Sequence, residues 1–265
     1  MTKRLTLLGL AAIFAMSPAF AQGPKPKSQK EVDALMAIQN AKDPDTRLKA
    51  IDDLLTKFAD TDYKDMVLDM AVETARQKND ATQIGIWADR ALLSNPKDFI
   101  AMLAIAETTA AGIKEFDLNL KDEAAKVEKN ANGALAVIKD APKPQPQITD
   151  EQWADAKKDY TSEAYQALGI ASMNQKKYPD AITQFKSSLA AAAHPDPATY
   201  VRLGEAYAQT KDYDSAIAAF DKAVAVPDVN PQVKQVAENL KADATKRKAA
   251  QAGGTGGTGP AAPKP

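Results

Sequence analysis

The sequence has no cysteine and a single histidine, His194. The first absence excludes disulfides, thiol nucleophiles and thiolate metal sites. The second leaves almost nothing with which to build a transition-metal centre. Aromatic residues are few, with only two tryptophans, Trp87 and Trp153. No apolar run reaches the roughly 20 residues that span a bilayer. Glycine-rich sequence is confined to 253–259, which lacks the lysine of a phosphate-binding loop and leads into no helix, and no Gly-x-Ser-x-Gly occurs. Catalytic and cofactor-binding residues are therefore expected to be absent.

The ends read as processing and linker segments. Lys3 and Arg4 precede the apolar stretch Leu5 to Met16, Ser17-Pro18 breaks it, and Ala19-Phe20-Ala21 offers small residues at the positions a signal peptidase reads. Residues 1–21 are predicted to be a signal peptide, with Gln22 as the mature N-terminus of an exported bacterial protein, periplasmic or extracellular. Loss of Lys3 and Arg4 leaves 32 basic against 35 acidic residues, a net charge of −3. That balance speaks against nucleic acid as a partner, and no stable membrane insertion is expected after cleavage. Residues 22–30 form a proline-containing linker. Ala141-Pro142-Lys143-Pro144-Gln145-Pro146, within a linker at 141–148, breaks the chain in the middle and divides it into two halves. Residues 251–265 form a Gly/Pro tail expected to be disordered.

Between these marks apolar residues recur at helical spacing. Helix pairs are predicted at 28–42 and 45–59, 62–78 and 80–94, 97–112 and 117–139, 149–176 and 179–193, and 197–210 and 213–226. A last helix is predicted near 231–250. Thr149 with Gln152 fits a capping box, and Pro179 falls in a first helical turn, where its missing amide costs nothing.

A repeat runs through the last two pairs. Tyr165, Leu168, Gly169, Tyr178, Ala181 and Phe185 return 35 residues later as Tyr200, Leu203, Gly204, Tyr213, Ala216 and Phe220, joined there by Tyr207 and Ala223. These residues resemble the tetratricopeptide repeat, a helical hairpin that stacks into solenoids. The match departs at Ser172, where an aromatic is expected, and at Ser188, where a small alanine is expected. The fold expected from the resemblance is all-α: a right-handed α-solenoid of antiparallel hairpins. It would comprise divergent hairpins over 31–140, two repeats near 162–195 and 197–230 within 149–250, and a C-terminal capping helix. The glycines and alanines permit close helix approach, and Phe185 and Phe220 fill the wedge toward the next hairpin.

In that family the first helix of each hairpin lines a groove for protein ligands. The resemblance thereby points to Glu163, Gln166, Ile170, Met173, Asn174, Val201, Arg202, Glu205 and Gln209 as a partner-binding groove, although a plain solvated helix face accounts for the same residues. The implied function is a non-enzymatic scaffold or adaptor for other proteins in the cell envelope. The alternative is a periplasmic solute- or glycan-binding module using Trp87 and Trp153 as stacking platforms. His194 is expected to cap the carbonyls at its helix end. Asp43, Asp45, Asp60 and Asp62 are expected to form turns and caps rather than a metal site. The sequence names no partner and sets no oligomeric state.

Overall fold

The computed structural model describes residues 24–144 and 147–254. Among these there are eleven α-helices and no strand. The helices are α1 (Gln29–Gln39), α2 (Pro44–Lys57), α3 (Lys64–Lys78), α4 (Ala81–Ser94), α5 (Phe99–Gly112), α6 (Leu120–Ile138), α7 (Asp150–Asn174), α8 (Tyr178–Ala191), α9 (Pro197–Gln209), α10 (Tyr213–Ala225) and α11 (Pro231–Gly254). The predicted signal peptide and residues 255–265 of the tail lie outside the described residues. The helix pattern agrees closely with the sequence expectation. One difference is that α11 continues to Gly254, past the point where the Gly/Pro tail was expected to begin.

Side-chain caps set most helix starts. Ser28, Asp43, Asp80, Asp98, Asp196 and Asp212 each accept an amide from the first turn of the helix that follows. Thr149 and Gln152 form the reciprocal pair expected at α7, at 3.1 and 3.0 Å. The last two hairpin turns repeat in their backbones as well. Lys176 and Lys211 both take left-handed φ values, 58° and 63°. Around them Lys177 N bonds Ser172 O and Asp212 N bonds Tyr207 O, the six-to-one bond of a Schellman stop.

Consecutive helices pack on each other throughout. In addition α3 packs on α5, α5 on α7, α7 on α9 and α9 on α11, with no comparable contact joining one even-numbered helix to the next. First helices therefore form a continuous inner layer from α3 to α11, while second helices form a splayed outer row. A stack whose units touch more closely on one side bends toward that side, which makes the odd-numbered layer the concave face. The Pro-rich segment joins α6 to α7, and the helices on either side of it pack directly together.

The stretch 117–149 is too long for one standard repeat, and the structure shows why. It holds a 19-residue α6, and the α7 that follows has 25 residues. The extra turns of α7 carry Trp153 and Tyr160 onto Phe99 of α5, with ring centroids 6.4 and 5.3 Å from Phe99. The N-terminal segment is also pinned. Tyr63 Oη donates to Pro24 O at 2.6 Å, and the Lys27 ammonium pairs with Asp60 and Asp62.

The glycines, alanines and phenylalanines of the motif are buried, while its tyrosines are half-buried. A Cβ built on Gly169 would sit 2.5 Å from Phe185 Cε1, and Gly204 faces Phe220 in the same way. Phe185 packs with Leu203, Ala206 and Ala219 of the next hairpin. Phe220 packs with Val201 and with Ala237 and Ala244 of α11, which closes the stack. Ser188 is fully buried, and its hydroxyl lies 2.8 Å from Ser162 Oγ on α7. The departure from the motif thus carries its own hydrogen-bond partner.

Candidate functional site

The nine groove residues predicted from sequence divide into distinct environments. Met173, Asn174, Arg202 and Glu205 are half-buried on α7 and α9, and Gln209 is exposed. Asn174 Nδ2 donates to the Ile170 carbonyl one turn back at 3.1 Å. Ile170 is itself half-buried against the cores of two adjoining hairpins. Burial raises the Glu205 carboxyl above its ordinary range, and the nearby Arg202 guanidinium opposes that shift.

Two of the nine are committed to the fold. Val201 is only 7% exposed because α11 folds over it, so it offers a partner no surface. Gln166 Nε2 donates to Asp196 Oδ2 at 3.0 Å and to Thr199 Oγ1. It ties α7 to the N-terminal cap of α9 and serves as a seam between repeats.

Glu163 leads to a cluster that sequence reading missed. Arg76 of α3 has a side chain only 6% exposed, and three carboxylates surround it. Its Nη1 meets Glu73 Oε1 at 2.8 Å, and its Nη2 meets Glu107 Oε2 of α5 at 2.6 Å and Glu163 Oε2 of α7 at 3.2 Å. One guanidinium thus joins three successive first helices. The carboxylates hold the Arg76 charge firmly against the desolvation that burial imposes.

Nearer the start of α3, Asp69 is half-buried, and its Oδ1 is sealed from solvent without a hydrogen-bond partner. Burial pushes its carboxyl well above the usual range, and a hydrogen bond and like charge from Asp98, with further like charge from Asp65 and Glu73, add to the shift. Asp98 is itself buried as the cap of α5, where it receives the Ala101 amide at 3.0 Å. Tyr160 of α7 is pushed up first by burial and then by the charges of Glu73 and Glu163. No sequence motif marks this cluster, because its members are spread over three elements of the chain, with Arg76 and Glu163 already 87 residues apart.

Three other expectations are decided by the surroundings of the residues concerned. Trp87 and Trp153 are 4% and 7% exposed, so neither is a stacking platform for a sugar. Their ring nitrogens are satisfied inside the fold, by Gln83 Oε1 and by the Ala141 carbonyl, each at 3.1 Å. His194 does not cap helix carbonyls. Its Nδ1 lies 2.8 Å from Asp159 Oδ2, and Asp159 Oδ1 accepts the amides of Ala193 and His194. The acidic turns are structural: Asp43 caps α2, Asp45 pairs with Lys78, and Asp60 and Asp62 hold Lys27. Among the described residues no group of three or more histidine or carboxylate side chains is arranged to hold a metal ion. Among the same residues no helix is long and apolar enough to cross a membrane.

Comparison with known proteins follows the same lines. Residues 167–230 match the family model for the tetratricopeptide repeat. No curated protein matches the chain. Among solved structures, a thermophilic TPR protein of Thermus thermophilus is similar at 13% identity, over 80% of this chain and 95% of that one, with a TM-score of 0.46. A tetratricopeptide repeat protein from Parabacteroides merdae is similar at 13% identity, over 80% and 96% of the two chains, with a TM-score of 0.30.

Proposed function

We propose that this chain, whose residues 167–230 match the tetratricopeptide repeat, is a non-enzymatic scaffold of the bacterial cell envelope. It binds an extended segment or a helix of another protein along its inner layer. The observation that carries this reading is the continuous row of first helices from α3 to α11. On α7 and α9 that row presents Met173, Asn174, Arg202, Glu205 and Gln209 with surface left to offer. A mixture of hydrogen-bonding groups with one flexible apolar side chain suits a peptide ligand, which brings both backbone polar groups and side-chain knobs. The envelope location rests on the leader-like residues 1–21.

The glycan-binding alternative has lost its stacking platforms, since both tryptophans are core.

Affinity capture tests the proposal, with the protein from Gln22 onward as bait for envelope extract of the source cell. The control bait carries Asn174→Ala, Arg202→Ala and Glu205→Ala and leaves the Gln166 seam and the Arg76 cluster intact. A protein retained by the first bait and lost with the second supports a groove on α7 and α9. Retention indifferent to the three changes, or none at all, overturns it.

A further inference from the structure

We propose that residues 24–28 are a strap that closes the first helical unit and shields the leader's cleavage bond, so that leader removal precedes closure of that unit. The inference rests on the reading of residues 1–21 as a leader, and it uses none of the groove residues.

The strap is held along its length. The Tyr63 hydroxyl donates to the Pro24 carbonyl at 2.6 Å. The Lys27 amide donates to Glu31 Oε2 at 2.5 Å, and the Lys27 ammonium pairs with Asp60 Oδ2 at 3.1 Å and Asp62 Oδ1 at 3.6 Å. Ser28 then caps α1 by accepting the Glu31 amide. Helix α1 packs on α2, and these contacts tie its start to the α2–α3 connection. Two of the anchors are buried, Tyr63 at 6% and Glu31 at 1% exposed. The second oxygen of Glu31 accepts the Thr61 hydroxyl at 2.5 Å. Lifting the strap takes one donor from a buried carboxylate and the acceptor from a buried hydroxyl. Buried polar groups left unpaired are costly, so the docked strap is the favoured state of the folded chain.

Leader removal needs the same stretch of chain. Hydrolysis adds one water across the Ala21–Gln22 bond and leaves a carboxylate on Ala21 and an ammonium on Gln22. A peptidase takes the residues around such a bond as an extended strand, main chain to main chain. Only Gln22 and Gly23 separate the bond from Pro24, and two residues span at most about 7 Å. A folded unit held that close competes with the peptidase for the strap. Docking for about nine-tenths of the time slows cleavage about tenfold, because only the free fraction is a substrate. The order of events follows from chain position. Tyr63 lies 39 residues beyond Pro24, so in a chain exported from its N-terminus the cleavage bond emerges before the anchors that would hide it.

The experiment measures cleavage by a purified bacterial signal peptidase in detergent, with the folded full chain and a peptide of residues 1–28 as substrates. The peptide lacks Asp60, Asp62 and Tyr63 and cannot dock. Its cleavage at Ala21–Gln22 is expected to be at least about tenfold faster in kcat/KM than that of the folded chain. Insertion of Gly-Ser-Gly-Ser between Gly23 and Pro24 lengthens the slack and leaves every strap contact in place, so it is expected to restore most of the rate. Tyr63→Phe with Lys27→Gln loosens the strap and is expected to speed cleavage as well. The insertion decides the matter should that pair fail to fold. Equal rates for the peptide and the folded chain overturn the inference, and so does an insertion that leaves the folded chain as slow as before. A peptide that is not cut overturns the leader reading, and the inference with it. None of these results touches the groove, which the capture experiment tests through residues of α7 and α9.

Discussion

Phe185 packs against the bare backbone of Gly169, where a single added Cβ would come 2.5 Å from its ring. The ring is fully buried and belongs also to the next hairpin, through Leu203 and Ala206. It cannot retreat without opening the seam between repeats. Gly169→Ala is therefore expected to destabilise the protein by about 1–3 kcal/mol, the range for forcing extra volume into a packed core. Phe220→Ala, at the equivalent site one repeat on, is expected to cost about 3–5 kcal/mol. Urea unfolding of both variants checks this, and an unchanged midpoint in either would defeat the assignment of these residues to the core.

The pair Ser162 and Ser188 predicts a coupling. Ser188 stands where the repeat favours alanine, and its hydroxyl is buried against that of Ser162 at 2.8 Å. Changing either alone to alanine strands the other, whereas changing both removes the need for the bond. The double variant is expected to be more stable than the sum of the single effects by roughly 0.5–1.5 kcal/mol. A double-mutant cycle measures this directly, and strict additivity would show that the hydroxyls are independent.

How much of this was legible in the sequence depends on whether a feature is local. Helix limits followed from capping residues and prolines adjacent in the chain, as with Thr149 and Gln152 at α7. The Gly169 and Phe185 contact was legible because a hairpin sets its two members a fixed 16 residues apart. The fate of Val201 was not, since it depends on how α11 folds over α9. The Arg76 cluster was least visible of all. Two of its three helices, α3 and α5, carry no motif residues, and only the stacking of three first helices brings its charges together.

Arg76 predicts the cost of removing a shared cation. Arg76→Met keeps much of the side-chain volume and removes the cation that Glu73, Glu107 and Glu163 share. Breaking a buried ion pair from one side costs about 3–5 kcal/mol. The carboxylates remain partly open to water, so the lower end, about 3 kcal/mol, is expected here. The loss should shrink when the medium is acidic enough to protonate the glutamates. Chemical denaturation at neutral and at acidic pH reads both effects, and an equal loss at the two would show that packing, not charge, is what Arg76 supplies.

Asp69 gives the opposite pH dependence. Its carboxyl is held above the ordinary aspartate range first by burial, then by its hydrogen bond to Asp98 and by like charges from Asp98, Asp65 and Glu73. The folded protein therefore keeps this proton more tightly than the unfolded chain does. The stabilisation that follows is fully present below the unfolded value of 3.8 and is lost as pH rises through the raised folded value. Above that, folding must hold a charged carboxylate among its own kind. The amide introduced by Asp69→Asn carries no charge at any pH. In that variant the melting temperature is accordingly expected to match or fall slightly below that of the wild type in acid, where both side chains are neutral. It should then exceed the wild type by a growing margin as pH rises, until Asp69 is fully ionised. Melting curves of the two proteins from about pH 4 to about pH 8 test this, since the window begins at the ordinary aspartate value and extends well past it. A difference that stays constant across the window would mean that Asp69 does not change its charge there, and the carboxyl would then have to find its missing partner in a rearranged α3–α5 contact.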